Sequence, residues 1–395
     1  MTSVNRRDPR SVIAAAVSAA ISVALPGFLV GALSVQIRSE FGVAEGRYGW
    51  AMSSYFLAAT AGSIVLGRLA QHIGPRRQLF IALGIVAFVD LTIAIFADRF
   101  LTLVSLLAVA GFCNAGAQTA VNLALAQAGL PRLGLAIAVK QSGMPAASML
   151  SGLAVPVIAL TFGWRWAFVG ATGVALITAV GVRATIAPRQ TISTPRGPLV
   201  SPMPALIGAG IASGLLSFGA GALNAWVVES GVNAGLGKGA AGIMLSVGAA
   251  LGISFRVLWG FKLDRLKARP FRIAGWMACA GAVGMLALSS RSAPAHIVAT
   301  VIAFAGGWVW PVFTNFGIVR ANEGNAGTAT GITQTGVYLG VFAAPLTAGA
   351  LIESYGYQTM WTVTAAVVAL GAFVMLRVAD KFSDVAPPSH SLRGR

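Results

Sequence analysis

Lys140 is a single cation set deep in an apolar stretch, eight residues past Arg132. In a helix eight residues advance ~12 Å, which leaves the ammonium well inside a hydrocarbon slab ~30 Å thick. A charge at that depth is costly unless it snorkels, pairs or faces water, so the position is a candidate binding site. The next turns of the same face read Met144, Ala147 and Ser151, mostly side chains small enough to leave room for a ligand. Amides fall at matching depth: Gln141 beside the lysine, Asn114 and Gln118 one turn apart, and Gln334 in a later run. In Gly306-Gly307-Trp308-Val309-Trp310-Pro311 two indoles stand in the middle of an apolar run, where glycine and proline predict a locally distorted helix. A lone cation among amides and aromatic faces suits the holding of a small monovalent anion. The competing readings are snorkelling for Lys140, interhelical hydrogen bonds for the amides and packing for Trp308 and Trp310.

Bond-breaking chemistry needs clustered acids, histidines or an activated nucleophile at one depth, and the sequence offers none. Asp90 is the one carboxylate deep in an apolar run; it reads as a proton carrier or as the buried partner of an arginine. Arg256 lies near the end of its run and reads as part of a loop lock. His72, His296 and His390 are far apart, no phosphate-cradling glycine loop is present, and so no metal, cofactor or ATP hydrolysis is expected. Cys113 and Cys279 both lie in apolar stretches, which implies no disulfide framework.

These residues are carried by a chain that repeats itself. Gly67 maps on Gly260, Arg76 on Arg269, Asn122 on Asn315, Gln141 on Gln334, Gly143 on Gly336 and Gly163 on Gly356, all at an offset of 193. Lys140 maps on Thr333, so the cation occurs in one copy only. A duplication in a membrane chain signals two half-bundles about a pseudo-twofold axis with the working site between them. Composition agrees: 56% of residues are hydrophobic and 10% charged, with 48 glycines, against about a quarter charged in soluble domains.

Apolar runs bounded by polar clusters predict twelve membrane helices, about 12–36, 47–69, 78–97, 100–128, 133–161, 165–187, 204–228, 239–261, 272–290, 294–320, 327–352 and 358–378. An even number puts both termini on one side. The segments on that side hold 20 of the 28 basic residues, among them Arg6, Arg76, Arg132, Arg189, Lys262, Arg269 and Lys381. Basic loops stay on the cytosolic side, so the termini are expected inside, and the net charge of +17 is a topology signal rather than a nucleic-acid footprint. The first run is too long for a secretory signal and lacks a small-residue cleavage site, so it reads as the first membrane helix. Proline-rich residues 188–203 predict an extended linker between a bundle of residues 1–187 and a second of 204–381, and residues 382–395 predict a disordered tail.

Twelve spans in two six-span halves resemble the major facilitator superfamily over nearly the whole chain. Its signature loop after the second span is similar to Gly67-Arg68-Leu69-Ala70-Gln71-His72-Ile73-Gly74-Pro75-Arg76-Arg77. Gln71 stands where the family carries an acid, while the second copy, Gly260-Phe261-Lys262-Leu263-Asp264-Arg265, keeps it at Asp264. The resemblance implies a gate: Gly67, Arg68, Gly74, Arg76, Arg77, Gly260, Asp264 and Arg265 would latch the halves on the cytosolic side through ion pairing and helix dipoles. The bland reading is that Arg76, Arg77 and Arg269 only fix topology.

Gly163-Trp164-Arg165-Trp166-Ala167-Phe168 resembles the start of the sixth span in bacterial members and reads as an interfacial anchor. Lys140-Gln141-Ser142-Gly143-Met144-Pro145 is similar to a bacterial subgroup near the cyanate and nitroimidazole permeases. The resemblance implies an all-α membrane protein of the bacterial plasma (inner) membrane, a monomer surrounded by lipid. Together with the lone cation at Lys140, this reads as a permease moving a small organic anion by alternating access, with protons as the coupling ion in symport. A multidrug or metabolite exporter, or an intramembrane lipid-handling protein, are the alternatives.

Overall fold

The computed structural model describes residues 9–127, 133–187, 199–263, 269–322 and 325–383. The first helices are α1 (Pro9–Ala32), α2 (Ser34–Phe41), α3 (Glu45–Ile73), α4 (Pro75–Phe96) and α5 (Phe100–Gln127). Then come α6 (Leu133–Gln141), α7 (Gly143–Ala154), which runs on through a wide turn at Val155–Ala159, and α8 (Arg165–Thr185). Next follow α9 (Met203–Asn233), α10 (Lys238–Leu263), α11 (Pro270–Ala287), α12 (Ala293–Gly307), α13 (Trp310–Ala321) and α14 (Ala326–Ser383).

Ten segments among the described residues are long and apolar enough to cross a membrane. Their outward faces are apolar too: Phe88, Leu101, Ile177 and Val180 are all exposed. Helices greasy on every side are stable only when lipid covers the outside. α4, α9, α11, α12 and α13 each start with proline in the first two positions, where the missing N–H costs no helical hydrogen bond. α14, at 58 residues, would run about 87 Å if straight. It turns at Gly356, whose φ of 80° and ψ of 172° are not helical.

The sequence repeat has a backbone counterpart. Among the described residues, the positive-φ glycines include Gly42 with Gly235 and Gly163 with Gly356, each pair 193 apart. α3 and α10 begin 193 residues apart as well, at Glu45 and Lys238. The packing repeats with them: α3 lies against α14, α10 lies against α7, and α1 crosses α9. Close crossings use glycine. A Cβ on Gly336 would sit 1.9 Å from the Gly210 carbonyl oxygen, and one on Gly340 would sit 2.0 Å from that of Gly214. Two Gly-x-x-x-Gly faces thus interlock between α9 and α14.

Two predicted spans are interrupted. Residues 133–161 break at Ser142, between α6 and α7, and residues 294–320 break at Trp308, between α12 and α13. Proline explains both. Pro145, four residues past Gln141, has no N–H to give the Gln141 carbonyl. Pro311 follows Trp308 by three, and the Val312 N–H turns to Val309 at 3.2 Å. The second break was expected from its glycines and proline. The first was not, because the run reads as evenly apolar.

Candidate functional site

Arg256, on α10, joins the two breaks. Its Nη1 donates to the Gln141 carbonyl at 2.5 Å and its Nη2 to the Trp308 carbonyl. Both acceptors are backbone oxygens at the breaks: Pro145 has no N–H for the Gln141 carbonyl, and the Val312 N–H that would serve the Trp308 carbonyl is turned to Val309. The guanidinium also lies over the Trp308 indole, 5.3 Å from the ring centroid. The residue is 2% exposed, and its Nε has no hydrogen-bond partner among the described residues. Its place corrects the loop-lock reading: Arg256 belongs to the buried junction between α6, α10 and the α12–α13 break. A sequence signal existed, a charge between Phe255 and Val257 in an apolar run, but nearness to Lys262 made it look like a helix end.

Lys140 occupies the same junction. Its Nζ donates to the Gln141 side-chain oxygen at 3.2 Å, and it forms no ion pair among the described residues. Trp308 is buried and packs on Phe28 of α1, at 6.0 Å between ring centroids, and on Phe304 at 5.5 Å. The structure therefore brings Lys140, Gln141 and Trp308 together and adds Arg256 and Phe28. Trp310 is buried with its indole N–H unpartnered among the described residues. Asn114 and Gln118 bond each other at 3.3 Å on α5, apart from the two cations, and the Asn114 amide N–H₂ has no partner among the described residues. Gln334, half-buried on α14, faces Tyr338. Asn224 on α9 was missed in a glycine- and alanine-rich run. It accepts the Ser148 hydroxyl at 2.6 Å, bridging α7 to α9.

The expected gate is described only in part. Asp264 and Arg265 lie outside the described residues, as do the surroundings of Gly67 and the side chain of Arg68. Gly74, with φ 83°, makes the turn into α4, Gly260 is buried on α10, Arg76 is half-buried and Arg77 is exposed. The opposite end of the bundle, where α2 meets α3 and α9 meets α10, carries the ion pair that crosses between the repeats among the described residues, Arg38–Glu229. Arg38 pairs with Glu45 at 2.7 Å and with Glu229 of α9. Burial works against the Arg38 charge, yet the two carboxylates outweigh it and hold the guanidinium above its ordinary value. The Gly46 N–H donates to Glu353 at 3.0 Å, and the Ser53 hydroxyl to the Phe342 carbonyl at 2.7 Å. A neighbouring staple fixes α8: Trp164 Nε1 donates to Glu40 at 2.5 Å and Arg165 pairs with the same carboxylate. Here the anchor expected at Gly163–Phe168 takes its partner from α2.

The family model described as the Major Facilitator Superfamily matches residues 12–345 of the 395. The chain belongs to the major facilitator superfamily. Among curated proteins none matches it. As a member of the superfamily it is an integral membrane protein and a membrane transporter, and its cargo is a small-molecule solute.

Proposed function

We propose that this major facilitator is a secondary carrier that moves a small organic anion across the bacterial plasma membrane by alternating access, with the termini in the cytosol. Twelve spans support that reading: the ten apolar segments, α3 with its 29 residues, and α14 counted as two about Gly356. Residues 1–187 and 204–381 form the two bundles, 188–203 the linker and 382–395 the tail.

The observation that carries the anion reading is Lys140. It sits half-buried within an apolar segment, at Gln141, whose carbonyl the buried Arg256 holds, with no carboxylate in ion-pair contact among the described residues. Two like charges in a membrane interior need a counter-ion, and a solute anion supplies it. Gln141, Trp308 and Phe28 offer a donor-acceptor pair and aromatic faces to hold the rest of the solute. Asn114, Gln118, Trp310 and Gln334 complete the proposed path. An anion entering with a proton would cross with little net charge movement.

The test is uptake of radiolabelled monocarboxylates into proteoliposomes. Lys140→Gln should lower uptake about tenfold or more while the protein stays folded, as for losing a charge-assisted hydrogen bond of roughly 2 kcal/mol. Lys140→Arg should keep part of the activity, because the wider guanidinium preserves the charge. Unchanged uptake in Lys140→Gln would assign the ammonium to snorkelling and remove the anion reading.

A further inference from the structure

We propose that Arg256 is a hand-over residue for carboxylates. Its guanidinium holds the Gln141 and Trp308 carbonyls at the two helix breaks, and a bound carboxylate takes its place among the donors by displacing them. The inference rests on the anion-carrier reading and narrows it to planar carboxylates.

Three observations meet here. First, the acceptors Arg256 holds are neutral backbone oxygens at helix breaks, one in each sequence repeat. A carboxylate is the stronger acceptor, because hydrogen bonds with both partners charged are about twice as strong as neutral ones. Second, the guanidinium keeps a spare donor: Nε is buried and unpartnered among the described residues. Nε together with one Nη forms the planar fork that matches a carboxylate's two oxygens. Third, the approach is prepared. Lys140 reaches Gln141, the residue whose carbonyl Arg256 holds, so an anion drawn to the ammonium arrives beside the guanidinium.

Displacement has a mechanical result. The Gln141 and Trp308 carbonyls are what Arg256 uses to tie the α6–α7 break to the α12–α13 break. When the guanidinium turns to substrate, the two broken helices are no longer held to α10 by it. Occupancy of the site is thereby linked to movement of segments from both repeats, which is the differential contact a two-state carrier needs.

The experiment uses the full-length carrier in nanodiscs, with monocarboxylates from formate to benzoate and the matching neutral amides, read by calorimetric binding. Wild type should bind the carboxylates and not the amides. Arg256→Gln should weaken binding at least about tenfold and Arg256→Lys less, because lysine keeps the charge but loses the fork. The deciding variant is Pro145→Ala, which leaves Arg256 untouched and gives the Gln141 carbonyl an N–H of its own helix. With one competitor removed, carboxylate binding should tighten about fivefold, the size of one net neutral hydrogen bond. Carboxylate binding that is unchanged or weaker in Pro145→Ala, or equal to wild type in a folded Arg256→Gln, overturns the hand-over and leaves the Lys140 reading standing. Wild type that binds no carboxylate removes both. If Arg256→Gln fails to fold, the Pro145→Ala titration decides alone.

Discussion

Asp90 shows how a residue can look functional and have no visible chemistry. It is fully buried on α4, and neither carboxylate oxygen has a hydrogen-bond partner among the described residues. No arginine pairs with it among the described residues, and Tyr55 lies near it. An ionised carboxylate in so apolar a place is expensive, and the site lies apart from Lys140 and Arg256. Asp90→Asn, nearly isosteric and uncharged, should therefore preserve most transport and cost little stability. Proteoliposomes with an imposed pH gradient check this, and proton-driven accumulation that disappears in Asp90→Asn would place the coupling site on α4. Lys140 was legible in the sequence because one local fact, a charge amid apolar neighbours, was enough. Arg256 was not. Its role depends on two carbonyls 115 and 52 residues away in the chain, and no spacing rule exposes which backbone oxygens a distant proline leaves free.

Elements reveal the same division between local and distant information. The spacing of Gly210 and Gly214 is local information; their partner face, Gly336 and Gly340, comes only from the structure. Gly336→Ala should cost about 1–3 kcal/mol by overpacking, whereas Gly331→Ala, with nothing within 4 Å of the added carbon, should cost little; thermal unfolding of the two variants compares them directly. The α2–α8 staple gives a pH-dependent case. Burial pushes the Glu40 carboxyl up, but hydrogen bonds from Arg165 and Trp164 outweigh it and hold it below its ordinary 4.5. A depressed folded value means the contribution is present above the unfolded value and is lost as pH falls through the folded one. Wild type should thus be more stable than Glu40→Gln at neutral pH, and the gap should close below pH 4.5. A gap that persists in acid would show that the staple does not depend on the carboxylate charge. Ten span-length segments among the described residues were readable from apolar length alone. The break at Ser142 was not, because a proline three residues further on changes hydropathy very little.

At the scale of the whole molecule, the ion pair that crosses between the repeats among the described residues lies at the end remote from the termini. Arg38, Glu45 and Glu229 meet there, Glu353 accepts from the start of α3, and Gly31 of α1 approaches the Asn224 carbonyl so closely that an added Cβ would stand 2.1 Å away. In the orientation proposed above this is the outward end, and the structure holds it shut. A carrier working by alternating access opens that end in part of its cycle, so weakening the seal should raise the population of the open form. Glu229→Gln removes one carboxylate from a largely buried pair but leaves Arg38 its contact with Glu45. The expected shift is therefore about 1–2 kcal/mol, short of the full loss of a buried pair, or roughly five- to thirtyfold in population. Labelling by a membrane-impermeant maleimide measures it, with Cys113 and Cys279 changed to serine and a single cysteine placed at Ser34, which is fully buried in the closed end. In intact cells Glu229→Gln should accelerate labelling from outside by that factor, while a cysteine at Arg196 in the linker should stay unlabelled. Labelling at position 34 that ignores Glu229→Gln would show that helix packing, not the ion pair, holds the outward end closed. Labelling of position 196 from outside would invert the orientation, and with it the assignment of this seal to the outward side.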